Sequence, residues 1–168
     1  MTRLEERLRG SAMWLIACII GAGLPGAVLA ATADREVAHL LGQSEAPAGV
    51  VFEIVSGDPE GLRESLPRVR DYVQRLRQRF PGVELAVVTH GQEQFALQSA
   101  HRAEQEEVHR QVQSLVGDQQ VPVHVCETYA GWRGVTAEDF PEYVDVAPSG
   151  PAQVRAYRDL GYTVVVVQ

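Results

Sequence analysis

Five short apolar runs, each bounded by turn-forming residues, constrain this chain more than anything else in it. They occupy residues 50–55, 85–89, 121–125, 143–147 and 162–167. None shows the strict polar–apolar alternation of a strand with one wet face, so each reads as a strand covered on both sides. Between the first two, Leu62, Leu66, Val69, Val73, Leu76 and Phe80 recur at helical spacing and give one apolar face. Pro67 falls inside that pattern, so the helix either starts there or is kinked. Residues 93–117 are polar with sparse apolar positions, which predicts one or two helices solvated over most of their surface. Ser149 is placed to cap a further helix, with Pro151 in its first turn and Gly161 at its end. Short apolar strands alternating with helices predict a three-layer α/β/α sandwich over residues 50–168. Its sheet should be five-stranded and mainly parallel, joined by right-handed crossovers.

The N-terminal third reads differently. Arg3, Arg7 and Arg9 precede a nearly unbroken apolar run over residues 11–24, and Ala31-Thr32-Ala33 matches a small-x-small cleavage pattern. That is the three-part layout of a secretory signal over residues 1–33, with Val28-Leu29-Ala30 as a second cleavage candidate. It places the mature chain in the periplasm or outside the cell. The competing reading is an uncleaved N-terminal membrane anchor, since about 20 apolar residues span a bilayer. A lipoprotein box at Leu15-Ile16-Ala17-Cys18 is a third, disfavoured because the apolar run continues past the cysteine. Residues 34–49 are polar and read as a flexible lead-in with at most one helical turn, at residues 37–41.

Charge and absences narrow the function. The net charge is −7; residues 1–33 hold three Arg and two Glu, so the rest carries −8. Such a surface repels nucleic acid and anionic lipid. All 15 cationic residues are Arg, and the chain has neither Lys nor Asn. A lysine Schiff base, a phosphate-loop lysine and a Cys-His-Asn triad are therefore excluded. The two cysteines, Cys18 and Cys126, cannot build a disulfide framework. Nothing in the sequence calls for a cofactor.

Ligands of open parallel sheets bind at the carboxyl ends of the strands. Four loops fall there. Residues 56–61 are Gly-rich but acidic, wrong for cradling a phosphate. The Thr89-His90-Gly91 loop offers His90 as a base or a ligand. The third runs from His124 to Val135. Strand alternation puts Val121, Val123 and Val125 on one face and His124 with Cys126 on the other. Cys126 then precedes a short helix near residues 128–132, with Arg133 close behind, and both should favour the thiolate, against Glu127. A thiolate at that place suits sulfur transfer. A cysteine that merely fills the core explains the same position, and a metal site from Cys126, His124 and His90 lacks any familiar ligand spacing. The fourth loop, residues 147–150, can face the same crevice, but Ser149 as a helix cap explains it fully, without a role as nucleophile.

Three segments together resemble one family. Cys126 ends the third strand, with Arg133-Gly134-Val135 following. Val87-Val88-Thr89-His90-Gly91 closes the second. Residues 144–150 and Leu160-Gly161-Tyr162 precede the last. In order and spacing they are similar to the DsrE/DsrF family of small sulfur-relay proteins, over residues 50–168. The resemblance implies an α/β/α fold assembled into homo-oligomers, trimers or hexamers. It also implies a cysteine, here Cys126, that takes a persulfide sulfur and hands it to another sulfur-relay protein. On that reading Arg133 favours the thiolate and His124 or His90 assists proton transfer. The alternatives are a non-catalytic oligomeric binding module with a structural Cys126, and a rhodanese-like enzyme. The latter needs a tight loop of backbone amides around its cysteine, which Glu127 and Tyr129 crowd.

Overall fold

The computed structural model describes the backbone of residues 25–168 and side chains from residue 32. Cys18 and most of the leader lie outside the described residues. Five strands, β1 (Val50–Ile54), β2 (Leu85–Thr89), β3 (Val123–Cys126), β4 (Asp145–Ala147) and β5 (Thr163–Val167), form one parallel sheet in the order β4-β3-β2-β1-β5. Helices cover both faces, giving the three-layer sandwich expected from the apolar runs. β3 and β4 each begin two residues later than the runs suggested. Val121 and Val144 are still buried, as core residues of the approaching loops.

On one face lie α1 (Pro25–Leu41), α2 (Gly61–Arg79) and α3 (Glu106–Gln113). Leu62, Leu66, Val69, Val73 and Leu76 of α2 are buried against Phe52, Ile54, Leu85, Val87, Val123 and Val125 from the sheet. Pro67 lies inside α2, which starts six residues before it; the helix keeps its apolar face while giving up one backbone donor. The lead-in expected to be flexible is a correction. Residues 34–41 are the second half of α1, and Ala33, Val37 and Leu40 pack into the core at helical spacing. Both cleavage points read from the sequence fall within α1. Residues 92–118 hold two short 3₁₀ turns, α3 and a π-helical turn. No helix among the described residues is long and apolar enough to cross a membrane.

The other face is covered mainly by α5 (Gly150–Asp159), which lies across β1, β2, β3 and β5. The topology explains this. The chain steps from β1 through β2 and β3 to β4 in one direction, then returns across the sheet to place β5 beside β1. Crossovers of one hand running in opposite directions leave on opposite faces. The short α4 (Glu127–Gly131) puts Ala130 into the large core, whereas α5 packs Val154 against Val51, Ala86 and Val88 on the far side. The connections leaving β3 and β4 therefore part to opposite faces. Their carboxyl ends form a topological switch point, the usual position of a crevice in such sheets.

Candidate functional site

Cys126 occupies that switch point. It ends β3, in register with Ala147, and one further step along the ladder sets His90 beside it on β2. A cavity of about 270 Å³ opens here. His90, Cys126, Thr128, Tyr129 and Ser149 line it, together with Trp132 and Pro151. Cys126 is only 3% exposed, so its sulfur meets solvent through this cavity and not at the open surface. Cys126 is also the N-cap residue of α4, and its sulfur accepts the Tyr129 N–H at 3.4 Å.

Gln94, which the sequence reading passed over, fixes the Cys126 backbone. Its amide oxygen accepts the Cys126 N–H at 2.7 Å and its amide nitrogen donates to the Cys126 carbonyl at 3.4 Å. The neighbouring Glu93, with no measurable exposure, ties the β1 and β2 loops together. Its carboxyl group accepts from Ser56 N (2.7 Å), Gly91 N (2.8 Å) and the Thr89 hydroxyl (2.6 Å). Gly91 admits that approach because a Cβ there would stand 2.3 Å from the Glu93 carboxyl oxygen. Buried polar groups persist when their partners are all supplied, and these supply one another. Periodicity gives no hint of them, since their partners lie far off in sequence, at a strand end or on the turn after it.

The four residues singled out from the sequence separate into two groups. His90 and Cys126 share the cavity. The His90 Nε2 bonds to Glu53 Oε1 at 2.8 Å, with Glu53 on the same sheet face, so a carboxyl group holds the imidazole in place. Gly150 lets α5 pass close by: a Cβ on it would meet the His90 Cβ at 2.4 Å. His124 is on the Cys126 face as alternation required, but it serves another cluster. Its Nε2 bonds to the Tyr157 hydroxyl at 2.8 Å, and Asp145 lies 3.9 Å from its Nδ1. Burial pushes the His124 imidazole below its ordinary range, partly offset by Asp145. Arg133 is exposed and lies over the Phe95 ring, 5.9 Å from its centroid, rather than in the cavity wall. Phe95, Tyr129 and Trp132 continue this aromatic string to the cavity mouth, at centroid spacings of 5.7 Å.

Ser149 stands at the N-cap of α5, but its side chain makes no capping bond. It lines the cavity instead, so the fourth loop faces the same crevice as Cys126. Among the described residues no three His, Cys, Asp or Glu side chains converge as a metal site.

No protein-family description and no curated protein matches the sequence. Solved structures do. MTH1491 from Methanobacterium thermoautotrophicum, a protein of unknown function, superposes with a TM-score of 0.53 at 20% identity, over 70% of this chain and 96% of its own. The ychN protein from E. coli gives 0.48 at 17% identity, over 70% and 98%. The likeness to MTH1491 shows a shared fold.

Proposed function

We propose that this chain is a sulfur-relay protein of the DsrE/DsrF kind, in which Cys126 accepts a persulfide sulfur and passes it on. It is at most a sulfurtransferase-like carrier. One observation carries the reading: the only cysteine of the described residues lines a cavity at the sheet's switch point, with His90 in the same wall. A nucleophile, a base and a group that orients the base are the parts such chemistry needs. Cys126, His90 and Glu53 supply those types in that order. The Cys126 thiolate attacks the outer sulfur of a donor persulfide; a new S–S bond forms, the donor's S–S bond breaks, and the donor leaves as a thiolate. Discharge repeats the step with an acceptor thiol as attacker and Cys126 as leaving group.

The fold shared with MTH1491 agrees with the layered fold the resemblance implies. The reading includes export by the leader, assembly into homo-oligomers, and delivery to another sulfur-relay protein. Iodoacetamide should alkylate native Cys126 rapidly near neutral pH. A persulfide donor should add the mass of one sulfur to the wild type and nothing to Cys126→Ser. A thiol that alkylates only after unfolding would falsify the proposal.

The second reading, a binding module with a structural cysteine, draws on the 3% exposure of Cys126. It predicts that Cys126→Ser leaves assembly and partner binding intact and that the native thiol is inert.

A further inference from the structure

Sulfur donors fall into two chemical kinds: organic hydropersulfides, and oxyanions such as thiosulfate. Resting on the relay reading, we infer that this site takes sulfur from an apolar hydropersulfide, bound in its protonated form, and discriminates against oxyanion donors.

An oxyanion needs cations or several free N–H groups aimed at it. Around Cys126 three N–H groups of the strand-end turn are already committed. Its own N–H goes to Gln94 Oε1, the Thr128 N–H to the Pro148 carbonyl at 3.2 Å, and the Tyr129 N–H to the cysteine sulfur. No arginine lines the cavity, and the chain has no lysine. Arg133, the nearest cation in sequence, is spread over Phe95. The acidic groups at hand, Glu53 behind His90 and the exposed Glu127 next to Cys126, oppose a dianion. Tyr129, Trp132 and Pro151 give the remaining wall an apolar surface suited to an organic group.

Glu53 also decides which way the proton runs. With His90 Nε2–H donated to Glu53 Oε1, Nδ1 is the ring nitrogen left without a proton. That nitrogen takes the Cys126 proton. The thiolate then attacks the outer sulfur of R–S–SH, the donor S–S bond breaks as the Cys126–S bond forms, and the departing thiolate recovers the proton from His90. Cys126–S–SH and R–SH result, with no net change of charge or oxidation state. A protonated donor therefore enters the cavity, and its thiol product leaves it, as a neutral molecule.

The test uses the reduced full-length chain carrying Cys18→Ser, so that Cys126 is its one thiol, followed by intact-protein mass spectrometry, with benzyl hydropersulfide and thiosulfate at equal concentration. The hydropersulfide should load one sulfur at least about tenfold faster, the margin that the loss of one charge-assisted hydrogen bond allows. In Thr128→Arg, which puts a guanidinium in the exposed part of the wall, the thiosulfate rate should rise relative to the hydropersulfide rate by roughly the same factor. Equal loading by the two donors, faster loading by thiosulfate, or an unchanged ratio in Thr128→Arg overturns the donor preference and leaves the relay standing. Loading by neither donor, with Cys126 still open to iodoacetamide, overturns the relay and the preference with it.

Discussion

The two faces of the sheet differ in kind. Beneath α1, α2 and α3 the strands present Phe52, Ile54, Leu85, Val87, Val123 and Val125 to one continuous core. Beneath α5 the same strands present Glu53, His124 and Cys126 beside a small cluster of Val51, Ala86, Val88 and Val154. One register row on that face runs Asp145, His124, Val88, Glu53, Val166 from edge to edge. The difference follows from connectivity: several elements cover the first face, while a single returning helix covers most of the second. Where cover is complete, a polar side chain finds no water and is costly. Where it is partial, His, Glu and Cys can be held by one partner each and still be reached. Stability is concentrated on one face and reactive side chains on the other.

The largest test of this division is Leu66→Ala, fully buried in the large core, which should cost about 2–5 kcal/mol in urea unfolding. A loss under about 1 kcal/mol would mean that the first face is not the main source of stability. Gln94→Leu comes next, since it strips both backbone partners from Cys126. It should cost about 1–3 kcal/mol and speed hydrogen exchange at the Cys126 amide; unaltered exchange would show that the clamp is dispensable.

Acid probes both faces at once. Burial lowers the pKa of His124 on the α5 side and of His109 on α3, where His109 is paired with the Tyr143 hydroxyl. For a base whose folded pKa is depressed, the unfolded chain binds more protons once pH falls below the unfolded value. Stability is then full above about pH 6.5 and declines as pH drops toward the lower folded values. His124→Gln and His109→Gln should each flatten part of that decline. A slope between pH 7 and 5 equal to wild type in both variants would contradict the assignment. The smallest effect belongs to Val166→Thr, at 36% exposure on the thinly covered face, which should shift stability by no more than about 0.5 kcal/mol. A larger loss in a dilution series would reveal that another surface covers β5 in solution.

The architecture was legible because apolar runs and one helical face carry it, and both are local patterns. Val50, Leu85, Val123 and Val165 could be placed from their neighbours in sequence alone. Cys126 at a strand end and His90 across from it were legible for the same reason. Glu53, Glu93 and Gln94 were not. Their burial depends on partners such as Ser56 and Cys126, which lie 37 and 32 residues from Glu93 and Gln94. Arg133 was misplaced because nearness in sequence says nothing about a side chain that prefers an aromatic ring. The first helix is hard to read from sequence because Ala33, Val37 and Leu40 sit among polar neighbours just after an apolar run.

Trp132 lines the cavity while 74% exposed, edge-on to Tyr129. The chain's other tryptophan, Trp14, lies outside the described residues, and Trp14→Phe leaves a single indole, the one beside the thiol. The protein thus carries its own optical probe. A change in Trp132 emission would register arrival and departure of whatever enters the cavity, in real time and without a label.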